Sequence, residues 1–330
     1  MIPPLLRVQD VRVHFPIPVG GVLRRRYLPL RAVDGVSFDL EPGETLGVVG
    51  ESGCGKSTLG RAVLQLIRPT AGRVLWLGDD LVGLDPEALR RKRRDLQIVF
   101  QDPLASLDPR MPIGESIAEP LRTFEPGLGR AEVRERVQEM LRQVGLLPQM
   151  INRYPHEFSG GQCQRIGIAR AMILRPRLVV CDEPVSALDV SIQAQIINLL
   201  MQLQDELGTA LIFISHNLAV VRHISRRIMV LYLGRMVELA DRDSLYARPL
   251  HPYTQALISA VPIPDPALER RKQRIVLQGD LPSPLNPPSG CVFRTRCPRT
   301  TAICAAEVPP VERVGEGQIV ACHHWRYASP

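Results

Sequence analysis

Short apolar runs alternate with longer segments of helical periodicity through most of the chain. The strands predicted from the apolar runs are Val33 to Leu40, Thr45 to Val49, Leu178 to Cys181 and Ala210 to Ser215. The helices predicted between them are Lys56 to Ile67 and Val190 to Leu207. Apolar strands without polar alternation are typical of a parallel sheet that is buried on both faces. The pattern therefore predicts an α/β fold, with helices covering a mainly parallel sheet.

Residues 113–147 follow a different pattern, with helical periodicity, charged faces and little strand signal. We interpret this region as a helical insertion in the α/β core, and we place a helical subdomain at about 102–170.

Proline separates the last part of the chain from the rest. Eleven of the 30 prolines lie from Pro262 to Pro330. Because proline interrupts helices and central strands, we expect an irregular appendage there. The predicted division is a first domain of residues 1–262 and a second of 263–330.

Composition and charge narrow the class of protein. The chain has 330 residues, 45% of them hydrophobic, and a formal net charge of +7. This is the composition of a folded globular protein, so wholesale disorder and coiled-coil classes are excluded. Every apolar run is shorter than the roughly 18 residues that cross a bilayer. The first residues lack the pattern of a secretory signal, so we expect a cytosolic protein.

The segment GESGCGKST matches a phosphate-binding loop, G-x-x-x-x-G-K-[ST], between a predicted strand and a predicted helix. Backbone N–H groups and the helix N-terminus would surround phosphates, Lys56 would contact the outer ones, and Ser57 would bind Mg²⁺. The alternative is a chance glycine-rich turn. The residues expected to contact the nucleotide are Gly50, Ser52, Gly53, Cys54, Gly55, Lys56, Ser57 and Thr58.

Two carboxylates, Asp182 and Glu183, end the predicted strand LVVC. Ligands of α/β folds bind at the carboxyl ends of strands, so we expect Asp182 to hold Mg²⁺ and Glu183 to act as general base. An isolated Asp-Glu pair would instead be an ordinary solvated loop start. The phosphate loop on the same chain favours the catalytic interpretation.

Two more polar residues follow predicted strands. His216 could contact a terminal phosphate or position the base and water, although a lone histidine is more often structural. Gln101 ends LQIVFQ, and its amide suits a Mg²⁺ ligand or a water-positioning group. Alone, each of these is a weak signal.

The segment FSGGQCQR places a hydroxyl and bare backbone N–H groups at a predicted helix start, which makes a second anion site. The chain thereby resembles the ABC-transporter ATPases, whose signature motif contacts the ATP held by a partner subunit. The resemblance implies a P-loop NTPase cassette: a RecA-like parallel core, an antiparallel β subdomain and a helical subdomain. The corresponding signature residues are Ser159, Gly160, Gly161 and Gln162.

The same resemblance assigns the remaining motifs. It makes Gln101 the Q-loop, Asp182 the Walker B aspartate, Glu183 the base, and His216 the switch histidine. Phe15 matches the aromatic that stacks on adenine, with Tyr27 as the competitor, because an insert, Pro16 to Arg31, follows it. Arginines of this insert, Arg24 to Arg26, are expected to face ATP or an anionic membrane surface.

A narrower resemblance, in IVFQDPLASLDPRM, ARPLHPYTQALISAVP and GDLPSPLNPPSGCVFRTRC, is to ATPase subunits of bacterial dipeptide and oligopeptide importers. The match favours the second ATPase of a dipeptide importer. It implies a heterodimer with a homologous ATPase, two membrane permeases, an external peptide-binding protein and a peripheral position on the cytoplasmic face of the inner membrane. The alternatives are a nickel importer ATPase of the same subfamily, and a soluble ABC ATPase that acts on nucleic acid or ribosomes. No nucleic-acid partner is expected.

Four cysteines near the carboxyl end, Cys291, Cys297, Cys304 and Cys322, are spaced C-x5-C-x6-C-x17-C. Four thiolates on irregular backbone can converge on one metal centre and fold a segment that has no core of its own. In the peptide importers the corresponding tail is associated with a [4Fe–4S] cluster. Structural zinc and unliganded thiols remain alternatives, and His323 and His324 are additional candidate ligands. The other cysteines, Cys54, Cys163 and Cys181, are expected to be buried packing residues.

Overall fold

The computed structural model describes residues 3–20, 26–262, 265–315 and 317–327. It divides into two compact units that do not follow chain order. The first unit comprises Met1–Leu5, Leu40–Thr45 and Gly83–Ser215. The second unit comprises Leu6–Asp39, Leu46–Val82 and His216–Pro330.

Strands and helices alternate along most of the chain. In the described residues the strands are β1 Leu6–Val19, β2 Arg26–Leu40, β3 Thr45–Val49, β4 Ala71–Trp76, β5 Asp79–Asp80, β6 Leu96–Val99, β7 Leu178–Asp182, β8 Ala210–Ile214, β9 Arg227–Tyr232, β10 Arg235–Asp241, β11 Glu312–Val314 and β12 Gln318–Val320. The α-helices there are α1 Lys56–Val63, α2 Pro86–Lys92, α3 Ile113–Phe124, α4 Arg130–Gln143, α5 Gly160–Met172, α6 Val190–Leu207, α7 Leu218–Ile224, α8 Arg242–Ala247, α9 Pro252–Ser259, α10 Pro266–Arg271 and α11 Ala302–Ala306.

The first unit contains three adjacent parallel strands, in the order β8, β7, β6. Leu178 on β7 pairs with Leu96 on β6 and with Ala210 on β8. Every residue of β7 and β8 is buried, as the continuous apolar runs predict. Because the strands are parallel, their carboxyl ends lie at one edge, and the polar residues that follow them emerge there.

The second unit contains two sets of strands. One is a four-stranded sheet in the order β2, β1, β4, β5, in which β1 and β4 are antiparallel. The other runs β11, β12, β10, β9, β3, with β3 parallel to β9 and the remaining pairs antiparallel. The parallel strands and the separate antiparallel sheet match the mixed α/β architecture expected from the sequence.

Helix α1 ends four residues before the predicted end at Ile67. Gln65 adopts a left-handed φ of 53°. The Leu66 N–H then bonds to the Arg61 carbonyl across 2.8 Å, and the Gln65 N–H bonds to the Ala62 carbonyl across 3.0 Å. This is the hydrogen-bond pattern of a Schellman cap, and it is closed by a glutamine instead of the usual glycine. The hydrophobic pattern alone did not reveal the stop.

The region interpreted as a helical insertion contains two helices, α3 and α4, as its periodicity predicts. Both helices pack against α5, and α3 also lies close to Ile151. A Cβ added to Gly114 on α3 would lie 2.2 Å from Ile151 Cγ1, so only glycine fits there. The predicted domain boundary at residue 262 stays a prediction, because each compact unit combines segments that are far apart in the chain.

The tail is more regular than the proline count predicts. Its β12 pairs with β10, where Val320 opposes Glu238 and Ile319 opposes Leu239. This stretch has none of the tail's prolines, so its N–H groups are free to join the ladder. Val320 also packs with Leu250 and Cys322 in a small buried cluster.

The described residues of the insert Pro16 to Arg31 are mostly strand. Strand β1 continues to Val19 and β2 begins at Arg26. Arg24 and Arg25 lie outside the described residues. Within the described ranges, the structure contains no helix that is both long and apolar enough to span a bilayer.

Candidate functional site

The phosphate loop of the second unit connects β3 to α1 through three glycines with positive φ. At Gly50, φ is 153°, and an added Cβ would lie 2.3 Å from the Leu231 carbonyl oxygen. At Gly55, the N-cap of α1, φ is 102°, and a Cβ would lie 2.0 Å from the Ala32 carbonyl oxygen. Because the backbone carbonyls of Leu231 and Ala32 lie this close to the loop, both positions require glycine.

Lys56 is buried at the first turn of α1, with 4% of its surface exposed. Its Nζ donates hydrogen bonds to the carbonyls of Gly50, across 2.9 Å, and Glu51, across 3.0 Å. The ammonium group is thus held against the loop that would surround phosphates. Cys54 is buried as predicted, and burial raises the pKa of its thiol.

The first unit brings together two of the predicted catalytic residues. Gln101 follows β6 and Glu183 follows β7, its neighbour. The Gln101 Nε2 donates to Glu183 Oε2 across 3.4 Å. Asp182 ends β7 and is 1% exposed. An amide, a half-buried carboxylate and a buried carboxylate therefore lie at one edge of the parallel strands.

Glu183 has a strained backbone. Its φ is 48°, a left-handed value that a residue with a Cβ rarely adopts. The Glu183 N–H donates to the Ile214 carbonyl across 3.0 Å, and the Ser186 hydroxyl donates to the Glu183 carbonyl across 3.1 Å. Such over-determined strain is typical of functional sites, and here it fixes where the Glu183 side chain leaves the main chain.

The segment Ser159 to Gln162 forms the exposed start of α5 in the first unit. Ser159 is the N-cap, and its hydroxyl accepts the Gln162 N–H across 3.4 Å. The Gln162 side chain in return accepts the Ser159 N–H across 3.0 Å. This capping box leaves the N–H groups of the two glycines at the positive end of a 13-residue helix, which suits an anion. A Cβ on Gly161 would lie 2.6 Å from Ile192 Cγ2.

The remaining predicted nucleotide residues belong to the second unit. His216 is exposed and precedes the Asn217 cap of α7. Phe15 lies half-buried on β1, whereas Tyr27 on β2 is 62% exposed. The roles predicted for these residues stay predictions.

The four tail cysteines lie within electrostatic reach of one another. Cys291, Cys304 and Cys322 are buried, and Cys297 is half-buried. The Cys291 N–H donates to the Cys304 carbonyl across 2.8 Å. Burial raises the pKa of the Cys322 thiol to about 11, and each of the other three thiols adds to that rise. The fold of the tail thus brings the four cysteines near one another.

Each of these sulfur atoms also has a nearby donor. N–H groups of Arg299 and His324 lie 3.4 Å from the sulfurs of Cys297 and Cys322, and the Thr301 hydroxyl lies 3.8 Å from Cys304 Sγ. Backbone N–H groups of Phe293 and Arg294 hydrogen-bond to Cys291 and lower the pKa that burial raises.

Histidines of the tail already have partners. His324 bonds to the Thr301 hydroxyl across 2.7 Å, and His323 lies 3.1 Å from the Glu307 carbonyl. No group of three or more His, Cys, Asp or Glu among the described residues is arranged to hold a metal ion. Cys163 and Cys181 are fully buried, as predicted, and burial raises the pKa of Cys181 to about 12.

Comparison with known proteins identifies the family. The ABC transporter family matches residues 33–186, and the oligopeptide/dipeptide transporter C-terminal region matches residues 237–304. Oligopeptide transport ATP-binding protein OppF of Salmonella typhimurium is 63% identical over 93% of this chain and 92% of its own. This chain belongs to the ATP-binding subunits of oligopeptide ABC transporters. It is an ATPase whose activity is coupled to transport.

A further relative and a solved structure support the same family. Oligopeptide transport ATP-binding protein AppF of Bacillus subtilis is 53% identical over 97% of both chains. These relatives carry the oligopeptide name, whereas the sequence resemblance placed dipeptide importers first. The dimeric, post-hydrolysis structure of the ATP-binding cassette MJ0796 with ADP and phosphate has a TM-score of 0.63 and 30% identity, and it covers 72% of this chain and 98% of that one.

Arg296, between Cys291 and Cys297, is a residue of this ABC ATPase that the sequence did not single out. Its guanidinium contacts the carboxylate of Glu51, the second residue of the phosphate loop, across 2.7 Å. This hydrogen bond raises the pKa of Arg296 above its ordinary value. The Glu51 N–H donates to the hydroxyl of Tyr253 across 2.9 Å. Tyr253 and Arg296 lie in two segments, HPYTQALISA and GDLPSPLNPPSGCVFRTRC, which indicated the subfamily without a role for either residue.

Proposed function

We propose that this ABC ATPase binds and hydrolyses ATP to energise the import of oligopeptides or dipeptides through a membrane transporter. The observation that carries the proposal is the 63% identity with an oligopeptide transport ATP-binding protein over 93% of the chain. The match of residues 237–304 to the C-terminal region of oligopeptide/dipeptide transporters supports the same cargo class.

The phosphate loop is the proposed nucleotide site. Lys56 neutralises charge on the outer phosphates, and the loop N–H groups hold the others, with Phe15 stacking on adenine and Tyr27 as the alternative. Ser57, Gln101 and Asp182 offer the oxygen ligands that Mg²⁺ prefers. Held by these residues, Mg²⁺ would supply positive charge that offsets the charge of the phosphates.

Glu183 is the proposed general base. Its fixed backbone and its hydrogen bond from Gln101 aim one carboxylate oxygen, which would accept a proton from the attacking water. Positioning of the base and water is assigned to His216. None of these groups needs to become a nucleophile, because catalysis of phosphoryl transfer relies on positioning and charge stabilisation.

The working form is proposed to be a heterodimer with a second, homologous ATPase. The start of α5, with its capped Ser159 and bare Gly160 and Gly161, would contact the ATP bound by the partner. The solved relative bound to ADP and phosphate is dimeric, which supports such an arrangement. Two permease subunits and an external peptide-binding protein complete the proposed importer, and the ATPase lies on the cytoplasmic face of the bacterial inner membrane.

Transport measurements test this function and its alternatives. The chain would be reconstituted with its permease and ATPase partners in proteoliposomes, and ATP-driven uptake of labelled oligopeptides, dipeptides and nickel would be compared. We expect peptide uptake that Lys56→Ala abolishes. Uptake of nickel alone would favour the nickel importer. Copurification with nucleic acid or ribosomes, with no peptide uptake, would favour the soluble ATPase that the net charge of +7 permits.

The tail cysteines are proposed to hold a [4Fe–4S] cluster, with zinc as the alternative. Four thiolates match the ligand need of such a cluster, and hydrogen bonds to the sulfurs are typical of these centres. Burial and mutual repulsion disfavour four thiolates without a cation, so a bound centre would stabilise the segment. When bound, the cluster's role here is to cross-link the tail.

Anaerobic purification distinguishes the two centres. We expect visible absorbance with matching iron and acid-labile sulfide, and loss of all three in Cys297→Ser. The control Cys163→Ala removes a buried thiol outside the tail and should keep the iron. Stoichiometric zinc without acid-labile sulfide would contradict the cluster and indicate a zinc site.

A further inference from the structure

Phe293 anchors the segment 291–297, here called the cysteine turn, to the body of the second unit. It is fully buried. Its ring centroid lies 5.1 Å from that of Tyr232 and 5.4 Å from that of Tyr253, and His251 is 5.5 Å away. Aromatic pairs at these distances and tilts attract beyond the burial of their surface. These contacts hold the cysteine turn in place within the second unit.

Arg296 extends from this anchored turn to the phosphate loop. Its side chain is 10% exposed and contacts the Glu51 carboxylate, whose side chain is 29% exposed. The two residues are 245 positions apart. A charge pair that is mostly removed from water is screened less than a surface pair, and breaking it leaves a buried charge without its partner.

Glu51 is held at three points. Arg296 binds its side chain, the Tyr253 hydroxyl accepts its N–H, and Lys56 donates to its carbonyl. Phosphates are bound by the N–H groups of such a loop, so the conformation of its second residue sets how those groups are aligned. A loop that is ordered before ATP arrives loses less conformational entropy on binding.

We propose that Arg296 and Tyr253 are positioning residues that brace the phosphate loop through Glu51, so that the tail of the chain raises the affinity of its own ATP site. The inference rests on the proposed function, since it takes the loop at residues 50–57 as the ATP site. Neither residue needs to touch ATP, and each acts through Glu51.

Nucleotide binding by the purified full chain tests the brace. Arg296→Ala should weaken the Kd of a fluorescent Mg-ATP analogue about tenfold, and Arg296→Lys, which keeps the charge but loses the fork, should give an intermediate value. In the assembled transporter KM for ATP should rise with kcat little changed. The double variant Glu51→Ala/Arg296→Ala should have a Kd no higher than that of the single variant that binds the analogue less tightly, because the two residues act as a pair.

Matched variants separate a brace from a purely structural contact. Arg294→Ala lies in the same turn, but its guanidinium bonds to Ser289, so it should bind the analogue as wild type does. Tyr253→Phe removes only the hydroxyl and should weaken binding about threefold or more. It decides the matter if Arg296→Ala does not fold.

Two outcomes overturn the inference. One is wild-type Kd in both Tyr253→Phe and Arg296→Lys. The other is a lowered melting temperature of Arg296→Ala with wild-type Kd. Lys56→Ala shows whether the brace alone or also the proposed ATP site is wrong. If Lys56→Ala binds ATP normally, the loop is not the ATP site and the proposed function is wrong as well.

Discussion

Gln101 and Glu183, which follow neighbouring parallel strands, meet across 3.4 Å through an amide donor and a carboxylate acceptor. The pair joins a residue proposed to bind Mg²⁺ to the residue proposed to activate water. The Glu183 backbone is held in a left-handed conformation, which fixes where its side chain leaves the main chain.

Replacement of this carboxylate by an amide should separate binding from turnover. Glu183→Gln keeps the size of the side chain but cannot accept a proton, so we expect unchanged ATP binding and ATPase activity reduced about 100-fold or more. Glu206→Gln, an exposed change on α6, is the matched control and should keep full activity. A normal rate in Glu183→Gln would remove this residue from the role of base.

Two glycines of the phosphate loop should respond differently to alanine. A Cβ on Gly55 would lie 2.0 Å from a backbone oxygen, whereas Gly53 has nothing within 4 Å. Both have positive φ, so each substitution strains the backbone by about 1 to 2 kcal/mol. We expect Gly55→Ala to lower the free energy of unfolding by about 3 kcal/mol and to abolish ATP binding. Equal losses for both variants, measured by urea unfolding, would contradict the contact.

The start of α5 can be tested by removing and restoring space. Gly161→Ala would place a Cβ 2.6 Å from Ile192 Cγ2, so we expect lower ATPase activity of the proposed heterodimer with normal ATP binding to the isolated chain. Ile192→Ala in the same chain should restore part of the activity, because the clash is with a side chain. If Ile192→Ala restores none of the activity lost in Gly161→Ala, the space at Ile192 is irrelevant.

Acid should destabilise the second unit through His251. Burial lowers the pKa of this histidine from 6.5 to about 3. Below pH 6.5 the unfolded chain therefore binds a proton that the folded chain does not, and the stability present above that pH is lost as pH falls towards 3. The loss by pH 5 is about 2 kcal/mol. Glu238, which accepts the His251 N–H, has a pKa raised by burial and acts in the opposite direction.

The variant His251→Asn isolates this effect. Asparagine is a good N-cap, so it can still accept the Tyr253 N–H that His251 Nδ1 accepts across 3.1 Å. Urea unfolding at several pH values should show a smaller loss between pH 7 and 5 than in wild type, while His223→Asn on α7 should behave as wild type. Parallel pH curves for wild type and His251→Asn would contradict the assignment.

Features that depend on contiguous residues were predictable. The phosphate loop, β3 and the start of α1 follow from one stretch of sequence, because glycine conformation, helix start and strand pattern are local. Helix α6 has the predicted bounds for the same reason. The end of α1 was missed because a left-handed Gln65 closes it, and no residue type in the sequence marks that cap.

Amino-acid sequence by itself determined the ATPase class, the parallel strands and the identity of the nucleotide motifs, since each rests on residue types at short fixed spacings. Tertiary structure alone decided that β12 joins β10 and that Arg296 binds Glu51. Contacts across 245 positions depend on the path of the whole chain, and a surface arginine and a buried, paired one look identical in sequence.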